Sequence, residues 1–201
     1  MKVSVILGKR VGIPVVLSEH SSVYARNRFS PAQVRRMRFF MNRVDLIMPV
    51  CEALGRKMRE YGISRPMISI SNVADPAIFY PAAPGEQVTE PCREVALIAR
   101  LSEEKAVHLA IQAVARLQQR GMYFQLNIAG DGPERFGLEA MVAEAGLGSW
   151  VHFHGNLAKE SLASLLRRAS IFLLTSLWEN RDRIFRTCSG STLPMLLETK
   201  S

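Results

Sequence analysis

Between Val95 and Leu177 short apolar runs alternate with helically spaced segments, and this alternation constrains the fold more than any other feature. Val95–Ala99 is almost wholly apolar, as expected of a strand buried on both faces of a parallel sheet. Val107–Gln119 follows, with Leu109, Ala113, Val114 and Leu117 at helical spacing and Gly121 closing the segment. A strand over Tyr123–Ala129 then meets a Gly130-Asp131-Gly132 turn, and Pro133 opens a helix running to about Ala145. The third unit is a strand over Trp150–His154, a helix over Ser161–Ala169 and a strand over Ile171–Leu177. Strands and helices of these lengths, taken in turn, predict βαβ units and a parallel, doubly wound sheet.

The first half of the chain is also α/β. It offers strands at Pro14–Ser18, Leu46–Val50 and Met67–Ile70, a helix after Ser30-Pro31, and another from Glu52 to Gly62. These are too few strands for a complete sheet. The Pro- and Ala-rich stretch from Asp75 to Pro91 separates the halves, because proline ends helices and cannot donate to a ladder. The predicted organisation is a first domain over 1–75, a linker over 76–92, a second domain over 93–180 and a tail over 181–201.

The longest strongly apolar run, Ile171–Trp178, falls far short of the ~20 residues that span a bilayer. The start of the chain has too short an apolar segment for a secretory signal. Three scattered cysteines, Cys51, Cys92 and Cys188, lack CxxC spacing, so a reducing, cytoplasmic setting is expected. A net charge of +8 favours anionic partners without choosing among them. Six arginines and no acidic residue lie between Glu19 and Asp45. On the helix there, Val34, Met37, Met41 and Val44 form the buried stripe, leaving Arg35, Arg36, Arg38 and Phe39 facing out. A solvated face and contact with an anionic membrane surface both fit that pattern.

Several strand ends carry residues capable of chemistry. Arg100 and Lys105 leave the carboxyl end of a strand, where open α/β sheets bind ligands, and could clamp a diphosphate. Alone they also fit a solvated loop. The Gly130–Pro133 stretch is neither a Walker loop nor a full G-x-G-x-x-G, so by itself it reads as a structural turn. His152 and His154 share one strand face. With no Cys or carboxylate near in sequence, they read as hydrogen-bonding residues rather than metal ligands. Glu179, at the end of another strand, could accept from ribose hydroxyls.

Taken in order, VALIARLSEEK (Val95–Lys105), LNIAGDGPE (Leu126–Glu134), VHFHGN (Val151–Asn156) and FLLTSLWEN (Phe172–Asn180) resemble the donor-binding domain of family-4 retaining glycosyltransferases. The family pattern runs G-R-L-x-x-x-K-G, G-x-G-P, F-x-G and S-x-x-E. GIPVVLSEH (Gly12–His20), SNVAD (Ser71–Asp75) and FYP (Phe79–Pro81) resemble its late acceptor-domain strand and interdomain crossing, so the likeness covers about residues 12 to 180. The resemblance implies a GT-B architecture of two Rossmann-like domains, both incomplete in this chain. It implies sugar transfer from a UDP- or GDP-linked donor to a hydroxyl or lipid-phosphate-linked glycan, with no cofactor and no metal. Arg100 and Lys105 would neutralise the donor diphosphate; Gly130, His154, Gly155 and Asn156 would meet the nucleotide, with Phe153–Asn156 bordering the base. His20 would lie near the transferred sugar, and Glu179 would be the first carboxylate of an E-x7-E motif.

Three departures stand out. Ala99 and Ala106 replace glycines of the pattern, both read as mild changes, and Thr187 stands where the second carboxylate belongs. Residues 181–201 show neither strand nor helix periodicity, so they are expected to add no element, to leave the strand ending at Leu177 without a neighbour and to exchange their amides fast. On this reading the chain is a truncated, inactive enzyme. The rivals are a non-catalytic, basic nucleotide-binding remnant and a basic nucleic-acid binder. No aromatic-interleaved basic motif supports the latter, so no nucleic-acid partner is expected. A peripheral place at the inner membrane face, through Arg35, Arg36 and Arg38, goes with a lipid-linked acceptor.

Overall fold

The computed structural model describes residues 2–21, 23–24, 29–81, 94–177 and 195–197. They fall into two compact units, one within residues 1–73 and one drawn mainly from 74–177. Among the described residues no helix is long and apolar enough to cross a membrane.

The first unit opens with α1 (Lys2–Val11), which the sequence reading left unassigned. It buries Val5, while Ile6, Leu7 and Val11 stay exposed. Strands β1 (Val16–Glu19) and β2 (Leu46–Pro49) pair in parallel, from Val16 opposite Leu46 to Glu19 opposite Pro49. Asp45 fastens the start of this pair: its Oδ2 accepts from the Val15 amide at 2.7 Å, and its own amide donates to the Val15 carbonyl at 2.8 Å. Helix α2 (Pro31–Met41) makes the crossover. A capping box starts it, with Ser30 Oγ accepting from the Gln33 amide and Gln33 Oε1 accepting from the Ser30 amide. Its buried side is Met37, Phe40 and Met41, which leaves Arg35, Arg36 and Arg38 exposed and Phe39 half-exposed. Val44, Ile47, Val50, Leu54, Met58 and Ile63 complete this core, the last two supplied by and just after α3 (Glu52–Glu60). Met67–Ile70 forms one bridge to Ile47 rather than a named strand, although Ile68 and Ile70 amides donate to Ile47 and Pro49 carbonyls. Ile68 and Ile70 remain more than half exposed.

The second unit is a parallel sheet of order β5-β4-β3-β6-β7. Its elements are β3 (Glu94–Ile98), α4 (Val107–Gln119), β4 (Gln125–Ala129), α5 (Arg135–Glu144), β5 (Val151–Gly155), α6 (Lys159–Arg168), β6 (Ile171–Leu174) and β7 (Met195–Leu197). Val95, Leu97, Leu126, Ile128 and Val151 pack with α4 and α5 in one apolar cluster. The buried stripe of α4 is Val107, Ala110, Ile111 and Val114, at i, i+3, i+4 and i+7. Ala113, expected inside, is exposed, and Leu109 and Leu117 are only partly covered. The periodicity was right and its phase was not. Full burial of each large aliphatic in this stripe stabilises by roughly 1.5–3 kcal/mol.

The end of the chain corrects a second expectation. Met195, Leu196 and Leu197 pair in parallel with Phe172, Leu173 and Leu174, so β6 does have an outer neighbour. Three apolar residues are too short a run to read as a strand from periodicity. The open edge of a parallel sheet, however, presents a row of unpaired donors and acceptors that an extended segment can satisfy.

The third correction concerns Ala106. It lies at φ 47°, ψ 41°, in the left-handed region, and is 1% exposed. The alanine is therefore more than a mild exchange, since the site asks for a residue without Cβ and the methyl strains it by roughly 1–2 kcal/mol. Ala106→Gly is expected to be neutral to about 1 kcal/mol stabilising, because released strain outweighs or matches the added freedom of the unfolded chain. Ala106→Val, β-branched at positive φ, is expected to lose more than about 2 kcal/mol. Urea midpoints for the two variants check this, and a valine variant as stable as alanine would refute the left-handed assignment.

Candidate functional site

In this sheet the chain runs outward from β3 through β4 to β5, then returns to β6 on the other side of β3. The carboxyl ends of β3 and β6 therefore flank a topological switch point, where open α/β sheets form a crevice. The loops after β3, β4 and β5 are joined main chain to main chain. The Ala99 amide donates to Ala129 O at 3.0 Å, Leu101 to Asp131 O at 3.0 Å, Glu134 to Leu101 O at 3.0 Å, and Gly130 to Gly155 O at 2.7 Å.

That closeness explains the glycines. A Cβ on Gly130 or Gly132 would fall on the carbonyl oxygen of Ala99 or Leu101, and Gly130 also holds φ +131°. The turn thus does more than reverse the chain: it lets two loops meet without side chains between them. Beside it opens a pocket of about 480 Å³ lined by Ile98, Ala99, Arg100, Ala129, Gly130, Asp131, Asn156, Leu157 and Leu162.

Arg100, Gly130 and Asn156, three of the residues singled out from sequence, come together in this pocket. Lys105 is not among its lining residues. It ends a 3-10 turn (Glu103–Lys105) that leads into α4, and the turn is held against the end of β6. Thr175 Oγ1, in a residue 4% exposed, donates to Lys105 O at 2.8 Å, and the Leu177 amide donates to Glu104 O at 3.0 Å. Sequence reasoning missed Thr175; its signal was a hydroxyl-bearing residue directly after an apolar strand. The Ser102 and Ser176 hydroxyls, one in each of these loops, are buried without a hydrogen-bond partner among the described residues.

Gly155, at φ +64°, ends β5 beside Gly130. His154 does not line the pocket. Its Nε2 lies 2.8 Å from Asn127 Oδ1, which can only accept, so this nitrogen carries the proton. Partial burial, and then the charges of His152 and Arg168, pull His154 below the usual histidine range. It is therefore neutral around neutral pH. Among the described residues no group of three or more His, Cys, Asp or Glu could hold a metal ion.

His20 belongs to the other unit, just after β1, with Nε2 2.8 Å from Ser18 Oγ. Glu19 Oε1 accepts from the amides of His20 and Ser21 and so sets the turn that carries the imidazole. Glu179 and Thr187 lie outside the described residues.

Comparison with known proteins gives two family matches. Residues 86–181 match the model described as glycosyl transferases group 1, and residues 3–78 match that described as glycosyltransferase family 4. The second match reaches into α1, earlier than the likeness read from motifs. The amylovoran biosynthesis glycosyltransferase AmsK of Erwinia amylovora is 26% identical over 176 residues, 88% of this chain and 40% of that protein. The 2-deoxystreptamine glucosyltransferase of Streptomyces kanamyceticus is 35% identical over 85 residues, 42% of this chain and 22% of that protein. The chain spans less than half the length of these curated relatives. Among solved structures, Anabaena HepE in complex with UDP and glucose superposes with a TM-score of 0.71 at 22% identity, covering 88% of this chain and 50% of that one. Sucrose-phosphate synthase from Thermosynechococcus elongatus gives 0.67 at 18% identity, covering 86% and 48%. At these identities the likeness speaks for the fold.

Proposed function

Because this chain belongs to the family-4 glycosyltransferases of GT-B fold, we propose that its second unit binds the diphosphate of a nucleotide sugar at the carboxyl ends of β3 to β6. The observation that carries this reading is the pocket itself: Arg100, Gly130 and Asn156 gather over the carboxyl ends of β3, β4 and β5, where glycine turns let the loops close on one another. Helix α4 begins at the same end, so its first amides, lacking partners within the helix, favour an anion there.

The reaction proposed is transfer of the sugar to an acceptor hydroxyl or a lipid-linked glycan, with retention at the anomeric carbon. Negative charge develops on the departing diphosphate, and cations poised there stabilise the transition state more than the ground state. Arg100 and Lys105 are assigned this work, without a metal. His20 and Glu179 are assigned to the transferred sugar, and Gly155 and Asn156 to the nucleotide. His154, bonded to Asn127, supports the β5 end rather than meeting the base directly. HepE is named in complex with UDP and glucose, which makes UDP the first donor nucleotide to try. Titration of the chain with UDP and GDP tests the reading. Saturable binding of either, unchanged by EDTA, is expected; no binding to either sinks it.

A second surface belongs to the same proposal. Exposed Arg35, Arg36 and Arg38 on α2, beside Phe39 capped by the Arg43 guanidinium at 3.6 Å, suit an anionic lipid face. Attraction of about 1 kcal/mol per arginine near such a surface makes the three together worth roughly 100-fold in partitioning. The triple variant Arg35→Gln, Arg36→Gln, Arg38→Gln is expected to lose sedimentation with phosphatidylglycerol vesicles. Equal recovery of the parent chain with phosphatidylcholine vesicles would refute the membrane contact.

A further inference from the structure

Asp131 places a carboxylate on the wall of a pocket assigned to an anion. Left bare, it would repel a diphosphate and oppose Arg100. The structure does not leave it bare. Asp131 Oδ1 accepts from the Gly132 amide at 2.7 Å, and Oδ2 accepts from Arg135 Nη1 at 3.1 Å. Arg135 Nε donates in turn to Glu139 Oε1 at 2.8 Å, which anchors the guanidinium along the first turns of α5. A Cβ built on Gly155 would sit 3.3 Å from Arg135 Nη1, so the same guanidinium lies against the end of β5, one residue before Asn156.

Stability does not account for this arrangement. The Arg135 and Asp131 side chains are 35% and 44% exposed, and ion pairs so open to water contribute little to folding. The charge of Asp131 matters more to a ligand than to folding, because a carboxylate on the pocket wall would face bound phosphate with like charge. Both carboxylates raise the guanidinium further above its already high range, so it stays charged at any pH at which the protein is folded.

The geometry points to Arg135 as a positioning residue of the donor site: it offsets the charge of Asp131 and ties the Gly130–Pro133 turn to the end of β5, so that Asp131 opposes a nucleoside diphosphate less. This rests on the donor-site reading above and adds to it a residue outside the pocket lining.

The test uses the whole chain, with UDP and uncharged uridine as probes. Arg135→Met is expected to weaken UDP by roughly tenfold or more at low salt, as one unmasked charge would. It should leave uridine affinity within error. Adding Asp131→Asn to Arg135→Met should restore UDP binding to within about threefold of the parent, since the charge to be masked is gone. The loss should shrink at high salt as screening takes over. Thermal melts identify any variant that has unfolded, and Arg135→Lys gives a folded, charge-preserving comparison with partial recovery. Parent-like UDP binding by Arg135→Met overturns the inference. So does a double variant, melting like the parent, that binds UDP no better than Arg135→Met. A parent chain that binds neither UDP nor GDP overturns the donor-site reading and this inference together, whereas UDP binding lowered by Arg100→Ala but not by Arg135→Met overturns this inference alone.

Discussion

Gly130→Ala is expected to cost the second unit about 2–6 kcal/mol, from a backbone strain of roughly 1–3 kcal/mol and an overpacking cost of roughly 1–3 kcal/mol. Two independent facts set that figure. The residue holds φ +131°, which L side chains rarely adopt, and its Cβ would land on the main-chain oxygen of Ala99. Neither can relax alone, because the Gly130 amide is bonded to Gly155 O while Ala99 is bonded to Ala129. Moving any of them loosens three strand ends at once. Domains are stable by only about 5–15 kcal/mol, so a loss at the upper end approaches unfolding. Urea denaturation followed by circular dichroism measures it. Gly137→Ala supplies the contrast: nothing lies within 4 Å of its added Cβ inside α5, and it should stabilise by about 0.5–1 kcal/mol. Parent-like stability of Gly130→Ala would mean that the loops do not approach as described.

Arg100→Ala and Lys105→Ala are each expected to weaken UDP binding about 10- to 150-fold. The figure converts a charge-assisted hydrogen bond worth roughly 1.5–3 kcal/mol. Arg100 offers a fork of donors on the pocket wall, so its loss should remove direct bonds and lie toward the upper end. Lys105 sits on the turn held to Thr175, outside the lining, and acts as a point charge on a flexible stem. Its loss should therefore lie toward the lower end and fade faster with salt. Calorimetric titration of both variants decides the matter. Unchanged affinity in both would remove the diphosphate assignment, and an effect confined to Lys105 would move the phosphates toward the end of β6.

The tail illustrates how a reading can fail for a definable reason. Thr187 in place of a carboxylate, followed by residues without apolar period, argued for a segment that adds nothing to the sheet. Yet β7 lies in register with β6. Membership of a parallel sheet is granted by an available edge as much as by the periodicity of the arriving strand. Rapid amide exchange across all of 181–201 is accordingly no longer expected, since Met195–Leu197 are paired.

Most of the elements were written locally in this chain, α1 and β7 being the exceptions. The bounds of α4 match the sequence reading, Ser30 followed by Pro31 announced α2, and β2 to β6 fell within a few residues of the apolar runs that predicted them. The likeness to the family is likewise carried by the strand-end motifs in the sequence itself. Such features depend on side-chain spacing and on the chemistry of one turn, both of which a linear sequence carries. What needed the tertiary structure were facts about pairs of distant residues: that β6 returns beside β3, that Ala99 leaves no room for a Cβ at Gly130, that Ala106 is left-handed, and that Arg135 spans Asp131 and the end of β5. The phase of α4 belongs with them, since helical period says how often a helix is buried but only its neighbours say which face. Each was decided by close approach between segments far apart in the chain, where excluded volume and unpaired main-chain groups choose the partner.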